Sequence, residues 1–230
     1  MPYGDGAGAV RFAVGDGYAF YQGGVSGSGV HRHAAFQVAV GVSGDVGMDD
    51  ASGSRYREAA LIVPPMVAHR LAPVAVMRTF FVEPHGAFAD ELRLQCGDGI
   101  TPAPGMRALR VEDVRLASGR PSRELDVRLL AAMHVLLDAM DEPISMVELG
   151  AKVGLSAQRL RALARKELGM PLTRWRIWRR LARAAEALRE GRSLSDASLA
   201  GGFADQAHFT REMRRMMGVT PSEVVRALRA

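Results

Sequence analysis

Two hydrophobic rhythms divide the chain. From Val10 to about Pro84 the apolar residues come in short runs, VRFAV (10–14), GYAFY (17–21), AFQVAVGV (35–42), AALIV (59–63) and VAVMRTFFV (74–82), parted by Gly, Ser, Asp and Pro clusters. Runs of that length between turn formers predict the strands of a small sandwich or barrel. Beyond Pro84 the spacing becomes helical. A short helix is predicted over Phe88–Gln95, and after Ser122 the residues Leu125, Leu129, Leu130, Met133, Leu136, Leu137 and Met140 recur at helical intervals. Between these two, CGDGITPAPG (96–105) interrupts the pattern with turn residues. A functional boundary falls near Asp141–Pro143.

The last ninety residues repeat themselves. Ser145-Met-Val-Glu148 and Ser193-Leu-Ser-Asp196 both read as helix N-caps with an acid at the third helical position. Nine residues after each serine stands a glycine, Gly154 or Gly202, and then an apolar residue, Leu155 or Phe203. A second cap follows, Ser156 or Asp205. Leu160, Ala164 and Leu168 then match Phe209, Met213 and Met217, Gly169 matches Gly218, and a proline closes each unit, Pro171 or Pro221. Each unit is a short helix, a tight turn and a longer helix, the helix-turn-helix arrangement. Gly150 and Ser198 hold equivalent places where a small residue lets the second helix cross closely. The expected segments are a first unit over 145–169, a connecting helix over 171–190, a second unit over 193–218 and a final helix over 221–229. In the connecting helix Trp175, Trp178, Leu181, Ala182, Ala185 and Leu188 form one stripe, with arginines on the other side.

Charge sharpens this picture. Residues 1–120 carry 11 Lys and Arg against 12 Asp and Glu, whereas residues 142–230 carry 17 against 9. A basic C-terminal segment points to a polyanionic partner. Twenty-eight of the thirty basic residues are arginine, a bias that a GC-rich genome would also produce. A hydrophobic fraction of 48% with 24% charged residues excludes a disordered chain. No apolar run reaches the roughly 20 residues of a membrane helix. The N-terminus, MPYGDGAGAV, lacks the basic and apolar regions of a secretory leader. Cys96 is the only cysteine, which excludes internal disulfides and cysteine-rich metal sites. The expected location is the cytoplasm, with nucleoid association when DNA is bound.

On these residues, and most specifically on LSDASLAGGFADQAHFTREMRRMMGVTPSEV, residues 142–230 resemble the DNA-binding domain of the AraC/XylS family of bacterial transcription regulators. Met213 and Met217 stand where that family usually has phenylalanine, and Ser198 where it has alanine. The resemblance implies two recognition helices, 156–168 and 205–217, entering adjacent major grooves. It places base-edge contacts at Gln158, Arg161 and Ala162 in the first unit, and at Gln206, Ala207, His208 and Arg211 in the second. Gln and Arg suit adenine and guanine, and alanine can meet a thymine methyl. Arg159, Arg165, Lys166, Arg214 and Arg215 are the expected phosphate contacts. Double-stranded DNA is the expected partner, with RNA polymerase as a second if the protein is an activator. The effector is unidentified, and no membrane partner is expected.

Residues 1–120 resemble the cupin-like sensor domain attached to many such regulators, so the expected fold is α+β in two domains. The N-terminal one is a small β-barrel followed by helices; the C-terminal one is all-α. Residues 121–141 are the linker, a helix that supplies either core or homodimer contacts. GVHRHAAFQ (29–37) and VPPMVAHRL (63–71) echo the two cupin segments and make His31, His33 and His69 the candidate metal ligands. Gln37 stands where the cupin motif has glutamate, so the set would be neutral. No cofactor is expected, a divalent metal being the alternative. The leading expectation is a sequence-specific regulator, not an enzyme. A cupin-type metal enzyme or metal sensor with a DNA-binding appendage, and a nucleoid protein binding any sequence, stay open.

Overall fold

A computed structural model describes residues 10–229. Of the stretch read for a leader, MPYGDGAGAV, residues 1–9 lie outside the described residues, as does Ala230. The short apolar runs become strands, covered on both faces at Phe36–Gly41 and Ala60–Val63, where every residue is buried. β1 (Arg11–Gly15), β2 (Tyr18–Val25), β3 (Phe36–Gly41), β6 (Ala60–Val63) and β8 (Val74–Val82) are the five runs read from the sequence. With β9 (Thr101–Pro102) they form one six-stranded antiparallel sheet in the order β1-β2-β8-β3-β6-β9. β4 (Val46–Asp50), β5 (Arg55–Glu58) and β7 (His69–Leu71) form a second, three-stranded sheet. Among the described residues the hydrogen bonding does not close these sheets into the expected barrel. The chain changes sheet at Ala59, between β5 and β6, and the two sheets pack face to face.

Alternation along the strands sorts side chains onto two faces. One face of the large sheet, with Phe20, Val38, Ile62, Phe80 and Val82, is covered by α1 (Ala87–Gln95) and α2 (Val111–Ser118) through Phe88, Leu92, Val114 and Ala117. The opposite face meets the small sheet at one end, where Ala39, Leu61 and Met77 pack on Val46, Met48 and Leu71. At its other end Ala19, Tyr21, Thr79 and Phe81 turn toward the C-terminal half.

The linker helix, α3, spans Val127–Asp138 and is capped by Asp126, whose carboxylate accepts from the Arg128 amide at 2.8 Å. It is shorter than the apolar stripe suggested; Leu125 and Met140 are buried just beyond its ends. Leu129, Ala132, Met133 and Leu136 are buried in one cluster with Leu149, Leu160, Leu163 and Trp175. That stripe is therefore spent inside the chain, and a second copy would have to use another face.

The repeat is real in its torsions. α4 (Met146–Lys152) and α7 (Leu194–Ala200) begin on Ser145 and Ser193, whose hydroxyls accept from the amides three residues on at 3.2 and 3.1 Å. α5 (Ala157–Leu168) and α8 (Gln206–Met217) begin on Ser156 and Asp205 in the same way. The turn glycines adopt φ of +68° at Gly154 and +71° at Gly202, and the closing glycines +71° at Gly169 and +70° at Gly218, a region that side chains disfavour. The Leu155 amide bonds the Gly150 carbonyl at 2.9 Å, and the Phe203 amide bonds the Ser198 carbonyl at the same distance. A methyl on Gly150 would meet the Leu155 carbonyl at 2.5 Å; Ser198 fits its own site by donating to the Ser195 carbonyl at 2.7 Å.

α6 (Leu172–Arg189) connects the units and is buried on more than one side. Its fully buried stripe is Leu172, Trp175, Trp178, Leu181, Ala184, Ala187 and Leu188. The expected Ala182 and Ala185 are only half-buried, because they line a cavity against the sheet instead of the helical core. Ala34, Ala35 and Phe81 of the β-rich half share a continuous core with α6 and the helices around it. α9 (Pro221–Arg229) closes the chain on a reciprocal Thr220 and Glu223 cap.

Gly169 and Gly218 have the same torsions but different neighbours. A Cβ at Gly169 meets nothing within 4 Å, whereas one at Gly218 meets His31 Nδ1 at 2.8 Å and the Gly29 carbonyl at 3.0 Å. Gly169→Ala is expected to cost about 1–2 kcal/mol for the left-handed backbone alone. Gly218→Ala adds a clash across the two halves and lowers the urea midpoint further; equal losses would place the 28–31 loop away from α8.

Candidate nucleic-acid interface

Amphipathic packing decides which residues of the two longer helices reach solvent. Leu160, Leu163, Ala164 and Leu168 seat α5, and Phe209, Met213 and Met216 seat α8. The faces left outside carry Gln158, Arg159, Arg161, Ala162, Arg165 and Lys166 on α5, and Gln206, Ala207, Arg211, Arg214 and Arg215 on α8, all exposed. Eleven of the twelve residues proposed for DNA contact thus lie free on two equivalent helix faces. His208 is the exception: it is half-buried, with its ring edge-on to Phe203 at 5.3 Å.

The arginines of α6 behave differently. Arg174 pairs with Glu212 at 3.7 Å and Arg183 with Asp141 at 2.9 Å. Arg176 donates to the carbonyls of Ala139 and Met140, at 2.7 and 3.1 Å, and to that of Glu142, clamping the end of α3. They tie α6 to α8 and to the segment that follows α3.

The same helix carries a buried polar tie to the β-rich half that local sequence pattern does not signal. Glu83, at the end of β8, is buried, accepts from Trp175 Nε1 at 3.3 Å and is ion-paired with Arg179. His85 stands beside it, Nδ1 at 3.3 Å from Glu83 Oε2, its ring held below the ordinary imidazole range by burial. An acid between an apolar strand and a proline was the only hint, and its partner lies 96 residues away.

With this geometry in view, residues 149–227 match the family described as helix-turn-helix domain. Residues 149–227 are an AraC-type helix-turn-helix domain. The HTH-type transcriptional regulator YkgA of Escherichia coli (strain K12) is 33% identical over 85 residues, 36% of this chain and 36% of that protein. The aligned part thus spans about a third of that relative. A transcriptional regulator with an AraC-type DNA-binding domain from Chromobacterium violaceum is 31% identical, covering 45% of this chain and 92% of that one, with a TM-score of 0.41. The fold of nearly the whole chain is similar to ToxT of Vibrio cholerae strain SCE256, in a structure with unsaturated fatty acid bound. That likeness has a TM-score of 0.60 at 9% identity, covering 90% of this chain and 94% of that one.

The AraC-type domain shares a cavity with the β-rich half. It measures about 270 Å³ and lies between the sheet and α6, under the end of α8. Phe12, Tyr21 and Phe81 line it from one side, and Trp178, Met213 and Met217 from the other. His31, His33 and His69 gather beside it, all buried, with ligand atoms within 4.8 Å of one another. His31 and His33 sit in the loop before β3, where His31 makes a single bridge to His69. Cys96 is half-buried at the end of α1, and burial pushes its thiol up.

Removing one partner of a buried ion pair leaves the other charge uncompensated. Glu83→Ala is expected to cost about 3 kcal/mol in urea unfolding, and Glu83→Gln less, because an amide oxygen still accepts from Trp175. Equal stability of Glu83→Ala and the native chain would show that the tie contributes nothing.

Proposed function

We propose that this protein is a sequence-specific transcription regulator that sets α5 and α8 into adjacent major grooves of one DNA duplex. The observation that carries the reading is the pair of equivalent exposed faces, each opening with a capped N-terminus, each offering glutamine, alanine and arginine to base edges. Gln158, Arg161 and Ala162 would read bases from α5, and Gln206, Ala207, His208 and Arg211 from α8. Arg159, Arg165, Lys166, Arg214 and Arg215 would hold phosphates, which position without specifying. α6 is the spacer: 18 residues at 1.5 Å rise span about 27 Å, comparable with the ~34 Å turn of B-DNA. Its arginine clamps to α3 and α8 make it stiff.

The β-rich half, residues 1–120, is the sensor, with 121–141 as the linker. A small molecule in the shared cavity touches Phe81 of the sheet and Met213 of α8 at once, so its binding would bear on the second reader directly. ToxT, alike in fold, binds an unsaturated fatty acid, which supports an apolar effector. Among the described residues no lysine or arginine lines the cavity, which favours a neutral apolar molecule over an acid.

Selection of bound sites from random DNA, followed by footprinting, tests this reading: protection over two successive major grooves supports it, and uniform protection rules it out. Arg211→Ala is expected to cost about 1–3 kcal/mol and to relax preference at one base pair. Arg214→Ala should weaken all sequences alike and flatten the salt dependence. Unchanged affinity and preference in Arg211→Ala would show that α8 does not enter the groove by this face.

A further inference from the structure

The end of α8 rests against the β-rich half. Gly218 closes the helix, and a Cβ there would meet His31 Nδ1 at 2.8 Å and both the Gly29 carbonyl and Ser28 Cβ at 3.0 Å. Residues 28–31 therefore lie directly on its last turn. That loop is fixed at both ends. Ser28 donates its amide to the Leu71 carbonyl at 3.1 Å and accepts the Leu71 amide on Oγ at 2.9 Å; His31 exchanges two backbone bonds with His69, at 2.9 and 3.1 Å. Between the buried His31 and His33 stands Arg32, which is exposed. Its backbone is set by its neighbours while its side chain is left in solvent.

Arg32 has cationic company. α8 brings Arg215, also exposed, to the same end, and α6 brings Arg174. The Arg174 guanidinium is held below its ordinary value by burial first, then by the like charge of Arg215 and, against the opposing pull of Glu212, by that of Arg32. Three cations thus gather about one carboxylate. Glu212 is turned inward: its Oε2 is buried, lies 3.7 Å from Arg174 Nη1 and takes no hydrogen bond among the described residues. Among the described residues neither Arg32 nor Arg215 enters an ion pair. Like charges gathered without an outward-facing acid repel one another, and an external anion relieves them.

The position selects the anion. A recognition helix meets base edges with its N-terminal residues. α8 has 12 residues, about 18 Å at 1.5 Å each, against a major groove about 12 Å wide. Its last turn then stands over the strand that borders the groove, where the anions are phosphodiesters.

We propose that Arg32, from the β-rich half, joins Arg215 in holding the sugar–phosphate backbone beside the groove that α8 enters, so that the sensor half is itself part of the DNA-binding surface. This contact rests on the entry of α8 proposed above. The same loop lines the shared cavity through Ser28 and His31. A molecule in the cavity therefore touches the loop that carries a phosphate contact.

The affinity of the full chain for a selected site, measured over a range of salt, tests the contact. Arg32→Ala is expected to weaken binding roughly 3–10-fold at about 0.1 M salt, alike for strong and weak sites, and to lower the slope of log affinity against log salt by about 1. Arg32→Lys should keep most of that slope, because an ammonium also meets a phosphate as a point charge. Arg32→Glu should lose more than Arg32→Ala. Hydroxyl-radical cleavage of the bound DNA should open, in Arg32→Ala, only sugars at the edge of the segment that α8 protects. The urea midpoint of Arg32→Ala should match that of the native chain, since the side chain is exposed. Native affinity and slope in Arg32→Ala would overturn the contact. So would a loss of affinity at unchanged slope, which would mean that the loop only props α8. If Arg211→Ala relaxes base preference while Arg32→Ala behaves as native, the contact falls and the reading of α8 stands. If Arg32→Ala and Arg214→Ala flatten the salt dependence while Arg211→Ala changes nothing, base reading by α8 falls and the phosphate surface stands.

Discussion

The burial of α6 on several sides at once is the constraint from which the rest follows. A surface helix of 18 residues would need only one apolar stripe. Here Trp175 and Trp178 face Glu83 and Phe81 of the sheet, while Ala184 and Ala187 are buried against the C-terminal helices. Small residues allow that contact: a Cβ at Gly201 would meet Ala184 at 2.9 Å and the Arg180 carbonyl at 2.8 Å. The helix is thus the common wall of both halves. Any change in how the sheet sits on Trp178 is also a change in the bed of α5 and α8.

This shared wall explains the placing of the other features. The cavity exists because Ala182 and Ala185 present small side chains where the sheet face turns away. The histidines lie buried beside the junction, two in the loop before β3 and His69 at the start of β7. Glu83, Arg179 and Trp175 tie the junction at its other end with a buried charge pair, which resists sliding because either charge alone would be costly. The buried charge pair and the histidine cluster thus flank an apolar space that is lined from both halves.

How much of this was legible in the sequence depended on whether the deciding interaction was local. The caps at Ser145, Ser156, Ser193 and Asp205 and the glycines at 154, 169, 202 and 218 act within a few residues, so the repeat was readable to the residue. β4 and β5, VGMDD and RYRE, were missed because their polar alternation is set by a small sheet with one solvated side. α2 was missed because VEDVRLAS, following a Pro- and Gly-rich stretch, shows only Val114 and Ala117 to the core. The roles of Glu83 and of the α6 arginines were hidden for a different reason. Their partners are distant in the chain, and a periodic pattern shows which face is polar but not what it meets.

The central claim is that α6 holds two readers at a fixed separation on one duplex. Its most direct measurement is the affinity of the full chain for a selected site whose two contacted segments are moved apart by half a helical turn, about 5 base pairs. A stiff spacer predicts that the affinity falls to that of a site with only one segment intact, and partly returns when the insertion completes a turn only if the spacer can stretch. Affinity unchanged by the half-turn insertion would contradict the account, since it would mean that the two helices never read the duplex together.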